Sequence, residues 1–234
     1  GRDARRPVLL YLHGGMPDYF LTTRYPTGLD DHFVVVWWEQ RGSGMSYDPG
    51  APAGAVTAEQ LVSDTLELAR QLRQRFAQPK VYLVGHSGGT FIGIQAAARA
   101  PELFHAYVGI AQMSNQLESE RLAHAYMTER YRRAGQERMA RRLDAAPVGD
   151  VVPLSDAYLR VRDVAMHGLG VGTTHEMTSL VTGLVWPSLR ASEYTPGEKV
   201  RLWRAKIAGG EQLWNTQLAT DLTRTVTRLE VPTY

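Results

Sequence analysis

Between Val81 and Arg99 the chain reads Val81-Tyr-Leu-Val-Gly-His-Ser-Gly-Gly-Thr90 and continues Phe-Ile-Gly-Ile-Gln-Ala-Ala-Ala-Arg99. The opening β-branched and aromatic residues favour a strand. The run after Thr90 favours a helix with small residues on one face. Gly85-His86-Ser87-Gly88-Gly89 lies between them, and strand, Gly-x-Ser-x-Gly, helix is the context of a nucleophile elbow. The turn must be so tight that the serine's own backbone is strained, and a side chain at 85 or 89 would collide with a neighbouring strand or helix. Glycine removes those collisions. Ser87 is then lifted out at the carboxyl edge of a sheet, and the Gly88 N–H, at the helix start, faces a developing oxyanion. Ser87 is therefore the candidate nucleophile and Gly88 the first oxyanion donor. The bland alternative is a glycine-rich turn with an inert serine.

Composition narrows the partners. A chain of 234 residues, 44% hydrophobic, buries a substantial core as one domain with a large insertion. A net charge of +2, from 26 basic and 24 acidic residues, points to neither nucleic acid nor a membrane surface. No cysteine is present, which removes disulfides, thiolate metal sites and thiol nucleophiles, and fits a cytoplasmic location. No apolar run approaches the length of a bilayer span.

Pro7-Val-Leu-Leu-Tyr-Leu12 predicts a strand covered on both faces, ending in His13-Gly14-Gly15-Met16-Pro17. Phe33-Val-Val-Val-Trp-Trp38 predicts a second buried strand and leads into Glu39-Gln-Arg-Gly-Ser-Gly-Met-Ser46. His-Gly-Gly, Glu-Gln-Arg-Gly-x-Gly-x-Ser and Gly-His-Ser-Gly-Gly, in this order, resemble the proline iminopeptidase branch of the α/β-hydrolase superfamily. The resemblance spans residues 13 to 89. It implies an α/β fold, a mainly parallel sheet flanked by helices with a helical cap inserted. It also implies that the first loop supplies an oxyanion-hole amide, from Gly15 or alternatively Met16, with His13 a structural hydrogen-bonding residue. The chain departs from the family pattern at three points. Met16-Pro17 stands where Pro-Gly is usual, Glu39 replaces an Asp, and Gly88 stands where the aminopeptidases carry Trp.

Further on, Thr57-Ala-Glu-Gln60 reads as a capping box with Gln60 reaching back, opening an amphipathic helix to Pro79. Ala106–Ile110 predicts a fourth strand. From Met113 the pattern turns helical, so the expected division is 1–112 core, 113–228 helical cap and 229–234 the start of the next core strand. In the cap, Leu122 and Tyr126 are expected to share one face, and the interleaved arginines and glutamates from Glu118 to Arg142 to be a solvated surface. Trp186, Trp203 and Trp214 are expected to pack rather than line a pocket. His86 is expected to point away from the chemistry, and His32, His105 and His124 to be surface residues near element ends. His175-Glu-Met offers no second metal ligand at helical spacing.

The resemblance implies two-step acyl transfer on an ester or amide of a small molecule or short peptide, with no cofactor. A serine at the elbow argues against chemistry that needs a carboxylate nucleophile there. In this fold the acid and the histidine follow the nucleophile along the chain. The strand that would precede them only begins at Glu230-Val-Pro-Thr-Tyr234, and the start also reads as trimmed. Both groups are therefore expected from a further segment or companion chain. The self-contained alternative pairs Asp163 with His167 or His175. A second function class also stays open, a catalytically silent domain binding a small molecule under its cap.

Overall fold

The computed structural model describes residues 5–52, 54–174, 177–208 and 211–234. Four strands, β1 (Val8–Leu12), β2 (Val34–Trp38), β3 (Val81–His86) and β4 (Phe104–Ile110), form one parallel sheet in the order β2-β1-β3-β4. Leu10 of β1 is paired with Val36 on one side and Leu83 on the other. Thr233 bridges in parallel to Tyr107. The Tyr107 and Gly109 amides donate to Pro232 O and Tyr234 O, both at 2.9 Å.

Strand alternation sorts the apolar residues into two clusters, as successive side chains point to opposite faces. Val8, Leu10, Leu12, Val81 and Leu83 pack with Leu61, Val62 and Ala69 of α1 (Ala58–Arg75) and with Phe91, Ile92 and Ala96 of α2 (Gly88–Arg99). Leu9, Tyr11 and Val84 form the other cluster with Leu29, Phe33, Val35 and Trp37. Each fully buried leucine of this kind contributes about 1.5–3 kcal/mol. β1 is buried throughout, but β2, expected to be buried, is only half-buried because it is the outer strand.

Helix α1 starts at Thr57, whose hydroxyl accepts the Gln60 N–H at 3.1 Å. The returning half of the predicted capping box is not made. Gln60 Nε2 instead donates to Asp64 Oδ1 at 2.8 Å, one turn further on. Hydrogen bonds from Arg41 hold the Asp64 carboxyl below its ordinary range, and an ionised carboxylate is the stronger acceptor.

Contacts divide the chain into two units, one of residues up to Ser114 together with Ser192–Tyr234, the other Asn115–Ala191. The second unit contains α3 (Gln116–Arg133), α4 (Glu137–Asp144), α5 (Asp156–Gly168) and α6 (Trp186–Arg190). The helices α7 (Pro196–Ala208), α8 (Glu211–Ala219) and α9 (Leu222–Thr225) belong to the first unit, so residues 192–228 part from the expected cap. Their local signal is as helical as that of α3 to α5, and only packing tells them apart. Leu213, Trp214 and Leu222 join the sheet's larger apolar cluster, and Leu222 N donates to Ser114 O at 2.7 Å.

Within the second unit, the expected apolar face of α3 is reversed. Leu122 and Tyr126 are exposed, whereas Met127, Thr128, Tyr131 and Glu120 are buried. Glu120, expected among solvated charges, is 1% exposed. Arg162 Nε and Nη2 each donate to its carboxylate at 2.7 Å, joined by the Tyr158 hydroxyl at 2.7 Å and Gln116 Nε2 at 2.8 Å. A charge can be buried when it is paired and hydrogen-bonded in this way. The polar residue at 120 disguised the buried row 120, 127, 131. Trp186 is half exposed and carries the Arg190 guanidinium over its ring at 4.5 Å.

Candidate active site

Ser87 joins β3 to α2 with φ 51° and ψ −121°. A positive φ at a non-glycine residue costs on the order of 1–3 kcal/mol and persists only where the surroundings enforce it. Here they do. The Ser87 amide donates to Ile110 O at 2.9 Å, and the Thr90 amide and hydroxyl donate to Ser87 O at 2.9 and 2.5 Å. Thr90 is fastened in turn, its hydroxyl accepting from Met113 N at 2.9 Å and its carbonyl from the Tyr107 hydroxyl at 3.1 Å.

The flanking glycines meet backbone, not side chains. A Cβ at Gly85 would lie 2.8 Å from Thr90 Cα, and one at Gly89 would overlap the carbonyl oxygens of Leu12 and His13. The carboxyl end of β1 is thus pressed against the elbow. A Cβ at Gly14 would sit 2.9 Å from Ser87 Cβ and 3.4 Å from its Oγ. The loop His13–Pro17 therefore runs alongside the serine. Among the described residues, the amides of Gly14, Gly15 and Met16 make no hydrogen bond, and Gly88 N lies in the first turn of α2, where amides lack an intrahelical acceptor. Gly15 is exposed and Met16 is buried.

His13 is 5% exposed and fastens this loop to the next. Gln40 N–H donates to its Nε2 at 3.2 Å, so Nε2 carries the lone pair and Nδ1–H donates to Gly14 O at 2.9 Å. Gln40 Nε2 donates to His13 O at 2.8 Å, and Ser43 Oγ, 2.9 Å from His13 Nε2, donates to Gln40 O at 2.6 Å. Burial drives the His13 pKa from 6.5 down to about 4, against the opposing pull of the Gly14 carbonyl. A neutral, doubly engaged imidazole is a structural residue, as the sequence predicts. Glu39 accepts from Met45 N–H and from the Tyr194 hydroxyl, the latter at 2.6 Å. Burial and then the Glu39 hydrogen bond push the Tyr194 pKa up, so it stays a donor.

His86, expected to play no part, is held by Asp18, its Nδ1 2.9 Å from Oδ2. Asp18 Oδ1 is buried with no hydrogen-bond partner among the described residues. Of the first unit's histidines, His13, His32, His86 and His105, none is hydrogen-bonded to Ser87. His32 is exposed and His105 half-buried against the Tyr82 ring, centroids 5.1 Å apart. In the helical unit, His124 lies in the middle of α3 rather than at an element end. It is partly buried, with Nε2 2.9 Å from Leu143 O. Asp163 is bonded to Arg162 at 2.8 Å, and His167 is buried one turn further along α5. His175 lies outside the described residues. Among the described residues no cluster of His, Asp and Glu could hold a metal ion, and no helix is long and apolar enough to cross a membrane.

Two side chains missed by sequence reasoning come from the segment after Ser192. Lys206 Nζ lies 2.9 Å from the point where a Gly15 Cβ would stand, and Gln217 Nε2 3.3 Å from the corresponding point on Gly88. A signal for Gln217 exists. It is the polar member of the otherwise apolar row Leu213, Trp214, Leu218 on α8.

A sequence model described as alpha/beta hydrolase fold matches residues 7–197. The chain is 35% identical over 131 residues to a probable aminopeptidase, YbaC, of Bacillus subtilis, covering 55% of this chain and 41% of that protein. It is 31% identical over 108 residues to a putative carbamate hydrolase, RutD, of Agrobacterium fabrum, covering 45% and 38%. The matched stretches thus span less than half the length of these relatives. Among solved structures, a hydrolase from Pseudomonas aeruginosa superposes with a TM-score of 0.53 at 19% identity, over 100% of this chain and 72% of that one.

Proposed function

From the premise that this chain belongs to the α/β-hydrolase fold family, we propose that it is a serine hydrolase of small esters or amides, including short peptides. Ser87 Oγ attacks the carbonyl carbon while a general base takes its proton, giving a tetrahedral oxyanion. The amides of Gly88 and of Gly15, with Met16 the alternative, receive that negative charge. Collapse breaks the bond to the leaving group, which takes the proton, and leaves the acyl group on Ser87. Water then attacks the acyl-enzyme, releasing the acid and restoring the serine hydroxyl. The observation that carries this reading is the enforced positive φ of Ser87 beside a loop whose amides have no partner among the described residues. An amide substrate is supported by the likeness to a protein named a probable aminopeptidase.

The alternative, a silent domain that binds a small molecule, is favoured by one observation: no first-unit histidine is hydrogen-bonded to Ser87. Labelling of the full-length protein by a fluorophosphonate probe separates the two. We expect labelling at Ser87, complete loss of it in Ser87→Ala, and a fall in turnover of about 10³-fold or more in that variant. An intact protein that does not label favours the silent domain. Labelling that persists in Ser87→Ala removes Ser87 from the mechanism.

A further inference from the structure

We propose that Asp18 and His86 form a latch that sets the spacing between the oxyanion loop and Ser87, making both of them positioning residues for acyl transfer. The proposal rests on the assignment of Ser87 as the reacting residue and adds to it the pair that holds the oxyanion donors in register with its hydroxyl.

The loop that carries the Gly15 and Met16 amides is fastened at both ends. At its start His13 is bonded to the turn after β2, and Gly14 is pressed against Ser87. At its far end Asp18 meets a residue 68 positions away, where His86 Nδ1–H donates to its Oδ2 at 2.9 Å. His86 is the last residue of β3 and directly precedes the nucleophile. Its backbone is registered against Ile110 of β4, the residue whose carbonyl accepts the Ser87 amide. A bond to the His86 side chain therefore ties the loop to the same frame that holds Ser87. Gly15 lies three positions before Asp18 and Met16 two, so any movement of Asp18 reaches both amides through a few peptide units.

The bonding of the carboxylate makes this contact the one that decides where the loop end sits. The Asp18 side chain is only 11% exposed, and its Oδ1 is buried with no hydrogen-bond partner among the described residues. The other donor to Oδ2 is the Tyr11 hydroxyl, at the longer distance of 3.4 Å. A buried carboxylate held by so few donors is strongly driven to keep the short one. On the other side of the bond, His86 Nε2 makes no hydrogen bond among the described residues, so nothing there competes for the imidazole. Loss of the bond frees the loop end to shift relative to Ser87. Such a shift weakens contacts made to the developing oxyanion and so falls on the chemical step more than on initial binding.

The kinetics of fluorophosphonate labelling on the full-length protein test this, at a temperature where circular dichroism shows each variant folded. His86→Ala and Asp18→Ala are expected to slow the maximal labelling rate by about tenfold to a hundredfold, with the half-saturating probe concentration little changed. Asp18→Ala leaves no buried carboxylate behind and keeps the test open if His86→Ala does not fold. The double variant should label no more slowly than either single one, because both remove the same bond. His86→Asn, whose carboxamide N–H can take the place of Nδ1–H, and Asp18→Asn, which keeps an acceptor oxygen, should restore most of the rate. Parental rates in both alanine variants, an effect confined to the half-saturating concentration, or no recovery in either asparagine variant overturns the latch and leaves Ser87 as the nucleophile. A parent protein that does not label at all removes the nucleophile assignment, and the latch with it.

Discussion

The elbow and the helical unit handle unfavourable groups in opposite ways. At the elbow a strained serine is held mainly by backbone, through Ile110 O, the Thr90 amide and the close approach of Leu12 and His13 to Gly89, with one side chain, the Thr90 hydroxyl, beside them. In the helical unit a buried carboxylate is held by side chains, Glu120 being surrounded by Arg162, Tyr158 and Gln116. Backbone restraint demands glycine at set positions and so leaves a motif in the sequence. Side-chain restraint draws its members from positions 116, 120, 158 and 162, and no local pattern announces it.

If that contrast is right, removing a partner should hurt the helical unit most. Glu120→Ala is expected to lose about 3–5 kcal/mol, because it removes the buried acceptor shared by Arg162 Nε and Nη2, the Tyr158 hydroxyl and Gln116 Nε2, although Asp163 still holds Arg162 Nη1. Urea unfolding measures it, and a loss under about 1 kcal/mol would place the pair among surface ion pairs. A double cycle with Arg162→Met should recover much of the loss.

The next effect sharpens the contrast through pH. His13, buried beside the elbow, has a folded pKa of about 4, lowered from 6.5. Between those values the unfolded chain binds the proton and the folded one does not. The stability present above the upper value is therefore lost as pH falls toward the lower, by about 3 kcal/mol in all. His13→Gln should flatten the stability profile across that window. Glu120 responds at lower pH. Burial raises its pKa, but Arg162, Tyr158 and Gln116 more than offset that and leave it below the ordinary carboxylate value. Its contribution is present above the unfolded pKa and is lost as pH falls through the folded one. An unchanged profile in His13→Gln would show that its imidazole is not what makes the elbow side sensitive to mild acid.

The smallest effect probes the backbone side. Gly85→Val is expected to cost on the order of 1–3 kcal/mol, since its side chain meets the Thr90 backbone and the Gly89 carbonyl. A variant that kept the parental melting temperature would show the turn to be looser than its φ of 51° at Ser87 implies.

These differences explain what could be read in advance. The strands, α2 and the strained turn at Ser87 were legible because alternation, periodicity and paired glycines are local consequences of geometry. The α/β-hydrolase fold followed from three such motifs in order, and the match over residues 7–197 agrees. The buried row of α3 was not legible, because Glu120 there looks like solvent-facing charge until Arg162 is brought to it. Nor was the allegiance of α7 to α9, whose helices look the same whichever unit they pack on. Gln217 fell between these cases, a polar residue on an apolar row that invites a question without answering it.

The imidazole of His13 has a consequence for inheritance and for engineering. Through Gln40 and Ser43 it joins the loop after β1 to the turn after β2, so the two loops share one hydrogen-bond network although His13 and Gln40 lie 27 positions apart along the chain. A change in either loop alters the acceptors and donors available to the other. Substitutions in them should therefore travel in pairs across descendants of this chain. A graft of the Gly14–Gly15 loop onto another scaffold should work only when the Gln40–Ser43 turn is carried with it.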